Sequence, residues 1–110
     1  MSVIDLNTYN SLRETTGAQF VSELIDTFLE DSPNLISQMK KSLSSSNADS
    51  FRRAAHTLKS NAATFGALQL AGFARELEGM ARENNLEIGN RLEVLEEAFQ
   101  KAKSQLIELR

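Results

Sequence analysis

The chain has 110 residues and a formal net charge of −3, with a sequence pI near 5.2; it is long enough for one domain with its own core, but it lacks the surface-wide basic field of a general nucleic-acid binder. It has no cysteine and a single histidine, which excludes disulfides, thiol chemistry, thiolate-bound zinc and multi-histidine metal sites. No apolar run approaches the ~20 residues of a membrane span and the first residues do not resemble a signal peptide, so we expect a soluble cytoplasmic protein.

Helix-forming residues dominate the composition, since the chain has only one proline and five glycines. Asp5 and Asn47 can cap helices, and Gly17 can end one. The segment 31–33 predicts a break, because its serine can accept a bond from a free backbone N–H while its proline suits the first position of a new helix. These signals and the apolar spacing predict six helices: one capped by Asp5 and running to about Thr15, then Ala18 to Glu30, Pro33 to Ser44, one capped by Asn47 and stopping near Gly66, Leu68 to Glu83, and Ile88 to Leu109.

Short connections make helices that are consecutive in sequence antiparallel neighbours in space. In the last helix, apolar residues recur in alternating steps of four and three, which is typical of bundle packing. The sequence therefore predicts one all-α domain over residues 1–110, an antiparallel four-helix bundle with one or two short additional N-terminal helices. Gly72 and Gly79 lie off the apolar face of the fifth helix, where each costs up to ~1 kcal/mol relative to alanine; the pattern offers no reason for them beyond close approach by another chain.

The only histidine, His56, lies on the polar side of the fourth predicted helix. At ~100° per residue, it falls roughly 140° from the centre of the apolar band of that helix, so we expect it to be exposed. Arg52 and Lys59 share its face, because residues three and four apart are neighbours on a helix. Ser60 and Ala63, one and two turns further on, are small. The apolar band itself consists of Phe51, Ala54, Ala55, Leu58, Ala62 and Phe65.

This neighbourhood suits an anion carried on the imidazole ring. A histidine with an ordinary pKa of ~6.5 is largely neutral at cellular pH, and its ring nitrogen is then an available nucleophile or base. Lys59 and Arg52 can place positive charge beside an anionic adduct, and the small residues leave a flat surface for a partner. Taken singly, each residue is also explained as an ordinary solvated side chain, since charged groups cover most helical surfaces.

The stretch from His56 to Ala67 resembles the histidine-containing phosphotransfer (HPt) family. The motif of that family has a leucine two residues after the histidine, a lysine three residues after it, small residues after the lysine, and a glycine ten residues after the histidine. The resemblance extends over nearly the whole chain, including the segment 28–33 and the two alanines before the histidine. It implies that His56 accepts a phosphoryl group, that Lys59 stabilises that group, and that Gly66 closes the histidine helix.

The face around the histidine also predicts residues that contact a partner. Arg52, Ser60 and Ala63 are the expected docking residues around the histidine. Ser60 and Asn61 stand where many members have glycine and then serine; both are small and polar, so docking should survive while partner preference changes. In some members a glutamine on the preceding helix contacts the histidine region, and Gln38 is the candidate here.

The implied function is phosphoryl transfer between receiver domains in a two-component phosphorelay. A phosphorylated aspartate on one receiver would donate to His56, and a second receiver would take the group back. The chain has no glycine-rich GxxxxGK[ST] loop, so we expect a phosphoryl carrier without its own kinase activity, ATP site, metal or cofactor. The resemblance assigns Mg²⁺ to the receiver. The expected partners are response-regulator receiver domains and a hybrid sensor kinase, with no nucleic acid or membrane, and the protein is expected to be a monomer.

Two other functions remain open on the sequence alone. One is an adaptor bundle that docks receiver domains without carrying phosphate; the intact His56 and Lys59 argue against it. The other is a hydrolase that uses His56 as a general base, although no serine or carboxylate is evidently placed to complete a catalytic pair, and Ser60 lacks an orienting third group. A start at Met1 and a compact length favour a free-standing protein, but a domain of a larger sensor kinase would look similar.

Overall fold

The computed structural model describes residues 3–110, and this part of the chain is entirely helical apart from turns. The all-α prediction is therefore confirmed. Within residues 3–110, none of the helices combines the length and the apolar character that a membrane span requires. The five helices are α1 Leu6–Thr16, α2 Ala18–Ser44, α3 Ala48–Thr64, α4 Leu68–Arg82 and α5 Arg91–Leu109.

The helices α2 to α5 form the bundle, with α1 packed against α2 and α3. Helix α3 lies between α2 and α4, and its apolar band is buried. Phe28 of α2 links the layers, because its ring centroid lies 5.0 Å from that of Phe65 after α3 and 6.0 Å from that of Phe99 on α5. This packing fixes the rotation of α3 about its axis and turns its polar side outward.

The break expected at residues 31–33 is wrong, because α2 continues through Pro33 as one helix of 27 residues. A proline inside a helix removes one backbone hydrogen bond. The loss is offset by packing, since the buried stripe of α2 stays in register on both sides of the proline. Ser32, expected to cap a new helix, is fully buried in that stripe, and its hydroxyl has no hydrogen-bond partner among residues 3–110. The stripe consists of Val21, Ile25, Phe28, Ser32, Ile36, Met39 and Ser42.

Smaller differences concern the helix ends. Asn47 caps α3 as predicted, its side-chain oxygen accepting a bond from the Ser50 N–H at 3.1 Å. Helix α5 begins at Arg91 rather than at Ile88, because Gly89 turns the chain with a φ of +60°. Ile88 is nevertheless buried, so its apolar side chain contributes to the core from the turn.

Gly66 ends the histidine helix in the left-handed region, with a φ of +80°. It also touches the segment before α1: its carbonyl accepts a bond from the Asp5 N–H at 2.7 Å, and a Cβ added at Gly66 would lie 2.7 Å from the Asp5 carbonyl oxygen. The helix end predicted from the sequence is therefore present, and the close approach to Asp5 adds a second requirement for glycine.

Gly66→Ala is expected to lower the free energy of unfolding by roughly 2–4 kcal/mol. Alanine is strained in the left-handed backbone conformation, and its methyl group would clash with the Asp5 carbonyl oxygen. Gly72→Ala is the matched control, since nothing lies within 4 Å of a Cβ at this position. There, alanine should stabilise the helix by up to about 1 kcal/mol. Urea unfolding of both variants measures the difference; equal stabilities would show that the contact with Asp5 relaxes at little cost.

Candidate functional site

His56 lies on the outward side of α3, and 55% of its side chain is exposed. The predicted apolar band on the opposite side is buried throughout, with Phe51, Ala55 and Leu58 fully inaccessible. The helical-wheel prediction of an exposed histidine is consistent with this placement. The ring is thus accessible to a second protein from one side and rests on α4 on the other.

The side chain beneath the ring is Glu78 of α4, a carboxylate that is almost completely buried, with 3% of its side chain exposed. Its Oε2 lies 2.7 Å from Nδ1 of His56. Its Oε1 accepts a hydrogen bond from Nζ of Lys59 at 2.7 Å, and Oε2 accepts a second from Nη2 of Arg82 at 3.2 Å. Three side chains that carry or can acquire positive charge therefore converge on one buried carboxylate.

Glu78 is held in its charged form by these neighbours. Burial raises the pKa of the Glu78 carboxyl, but hydrogen bonds from Lys59 and His56, together with the charges of these groups, outweigh burial and leave the pKa below its ordinary value. At neutral pH the carboxylate is ionised and can only accept hydrogen bonds.

An ionised Glu78 determines which nitrogen of His56 carries the proton. Because the carboxylate has no proton to donate, Nδ1 must donate the 2.7 Å hydrogen bond between them. In the neutral ring the lone pair is then on Nε2, the nitrogen away from Glu78. The site therefore presents one oriented nucleophilic nitrogen.

The charge of Glu78 makes stability depend on pH. We expect the wild type to lose stability relative to Glu78→Gln as the pH falls below about 5. A depressed folded-state pKa means that the stabilisation is complete above the unfolded-state pKa of about 4.3 and is lost as the pH falls through the folded-state value. Urea unfolding of both proteins between about pH 3 and 7 checks this. A difference in the free energy of unfolding between them that stays constant with pH would contradict it.

The proposed docking residues lie on the same helix as His56. Ser60 and Ala63 are exposed on α3, as expected. Arg52 is half-buried and donates from Nη2 to Asp49 Oδ1 at 3.0 Å, so its charge is balanced on its own helix. The same hydrogen bond lowers the pKa of Asp49.

The expected contact of Gln38 with the histidine region stays a prediction. Gln38 is exposed on α2, and the side chain that contacts the His56 ring is Glu78 on the following helix. The sequence carried a signal for Glu78 that was missed: an acidic residue at the edge of the buried stripe of α4, with Arg82 one turn later. The hydrolase alternative had assumed no carboxylate beside His56; Glu78 corrects this, yet no hydrogen bond joins Ser60 to the ring within residues 3–110.

The helical bundle therefore presents one exposed imidazole on a buried carboxylate with a lysine beside it, an arrangement that can hold an anionic group on the free ring nitrogen. The sequence profile of the Hpt domain family matches residues 23–107. The chain therefore belongs to the Hpt domain family, and its role is phosphotransfer in a phosphorelay.

A solved structure shows the same architecture. The crystal structure of histidine-containing phosphotransfer protein B (HptB) from Pseudomonas aeruginosa superposes with a TM-score of 0.86 at 28% sequence identity, covering 96% of this chain and 91% of that chain. A search of curated protein sequences gave no match. The predicted four-helix HPt bundle is thus confirmed, and residues 3–110 include one short additional N-terminal helix, within the one or two predicted.

Proposed function

We propose that His56 is the residue that carries the phosphoryl group, and that Nε2 is the atom to which it is attached. The observation that supports this most directly is the 2.7 Å contact between Nδ1 and buried, ionised Glu78. It keeps a proton on Nδ1 and leaves the lone pair on the exposed nitrogen. The adaptor alternative has no use for a ring held in one tautomer.

The transfer step needs no proton movement in this chain. The Nε2 lone pair forms the bond to phosphorus while the bond from phosphorus to the receiver aspartate breaks, and its electron pair returns to the aspartate carboxylate. The ring keeps its Nδ1 proton and becomes cationic. Glu78 stabilises that positive charge in a site where little water competes, because its carboxylate is 3% exposed. Reversal of the same step delivers the phosphoryl group to a second receiver.

Lys59 is the proposed cation for the phosphoryl oxygens. It lies one turn from His56 on α3, its side chain is 28% exposed, and a lysine is a flexible point charge that can change partner. Ser60 and Ala63 are the proposed docking positions, since their small side chains leave a flat surface on α3 beside the ring that a partner can approach closely. Arg52 remains a proposed docking residue at the edge of this surface.

The partners of a phosphorelay carrier are two-component proteins such as receiver domains. We propose that the receiver supplies Mg²⁺ and the acidic pocket, and that this chain contributes no cofactor, ATP site or kinase activity of its own. A hybrid sensor kinase as a partner, a monomeric state, a cytoplasmic location and the lack of nucleic-acid or membrane binding stay predictions, as does a single domain over residues 1–110.

A panel of receiver domains carrying labelled phosphate tests the proposal. The wild-type chain is expected to take up label from at least one of them as an adduct that is labile in acid and stable in base, as a phosphoramidate bond is. Binding of receivers without uptake of label would support the adaptor instead.

A further inference from the structure

Glu78 has more cationic partners than one carboxylate needs. In the unmodified protein the closer of the two permanent cations is Lys59, at 2.7 Å from Oε1, whereas Arg82 is at 3.2 Å from Oε2. Arg82 comes from the same helix as Glu78, one turn later, and 65% of its side chain is exposed. Its longer contact can tighten, because an exposed side chain has freedom to move.

A phosphoryl group on His56 would compete with Glu78 for Lys59. Such a group carries close to two negative charges at neutral pH and three acceptor oxygens. Lys59 is anchored on the same helix as His56, so a change of side-chain rotamer can carry its ammonium from Glu78 toward the phosphoryl group. Glu78 would then lose its shortest bond to a permanent cation at the moment when the ring it supports becomes positive.

The loaded ring does not replace Lys59 as a counter-charge for Glu78, because the phosphoryl group that it carries brings nearly two negative charges and leaves the modified side chain negative overall. Burial then favours the protonated form of the carboxylate unless another cation stays bound to it. Arg82 is the permanent cation that remains. Its guanidinium is charged at all physiological pH values, and its origin on α4 lets it follow Glu78 without spanning two helices. The phosphoryl group would attract Arg82 less strongly than it attracts Lys59. Arg82 contacts Oε2 of Glu78, the oxygen that faces Nδ1 of the ring, whereas the phosphoryl group is on the opposite nitrogen.

We propose that Arg82 is a positioning residue for phosphoryl transfer: it keeps Glu78 charged and bonded to Nδ1 of His56 while Lys59 moves to the phosphoryl group. The inference rests on the proposed function of His56 and adds a division of labour between two cations. Lys59 stabilises the phosphoryl group, and Arg82 pairs with the Glu78 carboxylate under the ring.

The test loads His56 without a receiver, using phosphoramidate as the donor. The Nε2 lone pair forms the bond to phosphorus, the P–N bond of phosphoramidate breaks, and ammonia leaves. The carboxyl ¹³C signal of Glu78 then reports its charge before and after loading. In the wild type this signal should keep the position of an ionised carboxylate in both states.

Arg82→Gln should behave like the wild type before loading, because Lys59 still pairs with Glu78. After loading, its Glu78 signal should shift toward the protonated position, and uptake of phosphate from a receiver should fall roughly 10-fold. Arg75→Gln is the matched control: it removes an exposed arginine from the same helix that, among residues 3–110, is not one of the ion-pair partners of Glu78. It should leave the signal and the rate unchanged.

An unchanged Glu78 signal in loaded Arg82→Gln would overturn the inference while leaving the role of His56 intact. A shift already present before loading would also overturn it, because Arg82 would then be a constant structural partner. Failure of the wild type to accept phosphate on His56 from phosphoramidate and from every receiver is a different result, which would reject the proposed function and the inference together.

Discussion

His56→Gln is expected to take up no label from any phosphorylated receiver domain, whereas the wild type becomes labelled. The substitution removes the only imidazole in the chain, and no other side chain offers a neutral nitrogen nucleophile of this kind. The fold should be preserved, because the histidine side chain is 55% exposed and a glutamine amide can still donate to Glu78. A change in stability within about 0.5 kcal/mol is expected.

Thr57→Ala provides the control for this loss. Thr57 is the next residue on α3 and is exposed, and its hydroxyl donates to the carbonyl of Arg53 within its own helix. This variant should accept label at close to the wild-type rate. Label retained on His56→Gln would place the phosphoryl group elsewhere and remove the basis of the proposed function.

Glu78→Leu is expected to slow uptake of phosphate roughly 10- to 100-fold, the range typical when a partner that orients a functional histidine is removed. Leucine has a similar volume but cannot accept a hydrogen bond from Nδ1. The ring is then free to carry its proton on Nε2, where it blocks the nucleophile, and the cationic ring formed on transfer has no counter-charge. Transfer rates and the ¹⁵N shifts of the His56 ring measure both effects.

Glu78→Gln separates orientation from charge. Its amide oxygen can still accept from Nδ1, so the tautomer should be preserved, but the negative charge is gone. We expect a transfer rate between those of the wild type and Glu78→Leu. Glu76→Leu controls for loss of an acidic residue on α4, because Glu76 is exposed and pairs with Arg91. Wild-type tautomer and rate in Glu78→Leu would show that the ring is oriented by something else.

The sequence was most informative about features that depend on the pattern of one helix alone. The apolar band of α3 is regular, both neighbouring helices pack on it, and the outward placement of His56 follows from the band alone. At Pro33 the same kind of local reasoning was wrong, because the break signal is a property of three residues while the stripe that keeps α2 continuous extends over the whole helix.

Glu78 shows what periodicity within one helix cannot provide. It is 22 residues from His56 in sequence, on another helix. Whether the two meet depends on the rotation and the axial shift of α4 against α3, and these are set by side-chain packing between the helices. The sequence could indicate an acidic residue at the edge of a buried stripe, but not the ring that it supports.

The hydrogen bond between His56 Nδ1 and Glu78 also bears on the direction of signalling. In the proposed transfer the proton on Nδ1 stays in place throughout, so loading and unloading of the ring neither consume nor release protons, and the forward and reverse reactions pass through the same arrangement. A carrier that works in this way has no proton-linked preference for one direction. Net flow is then governed by which receiver holds its phosphate less tightly and by how much of each receiver the cell contains.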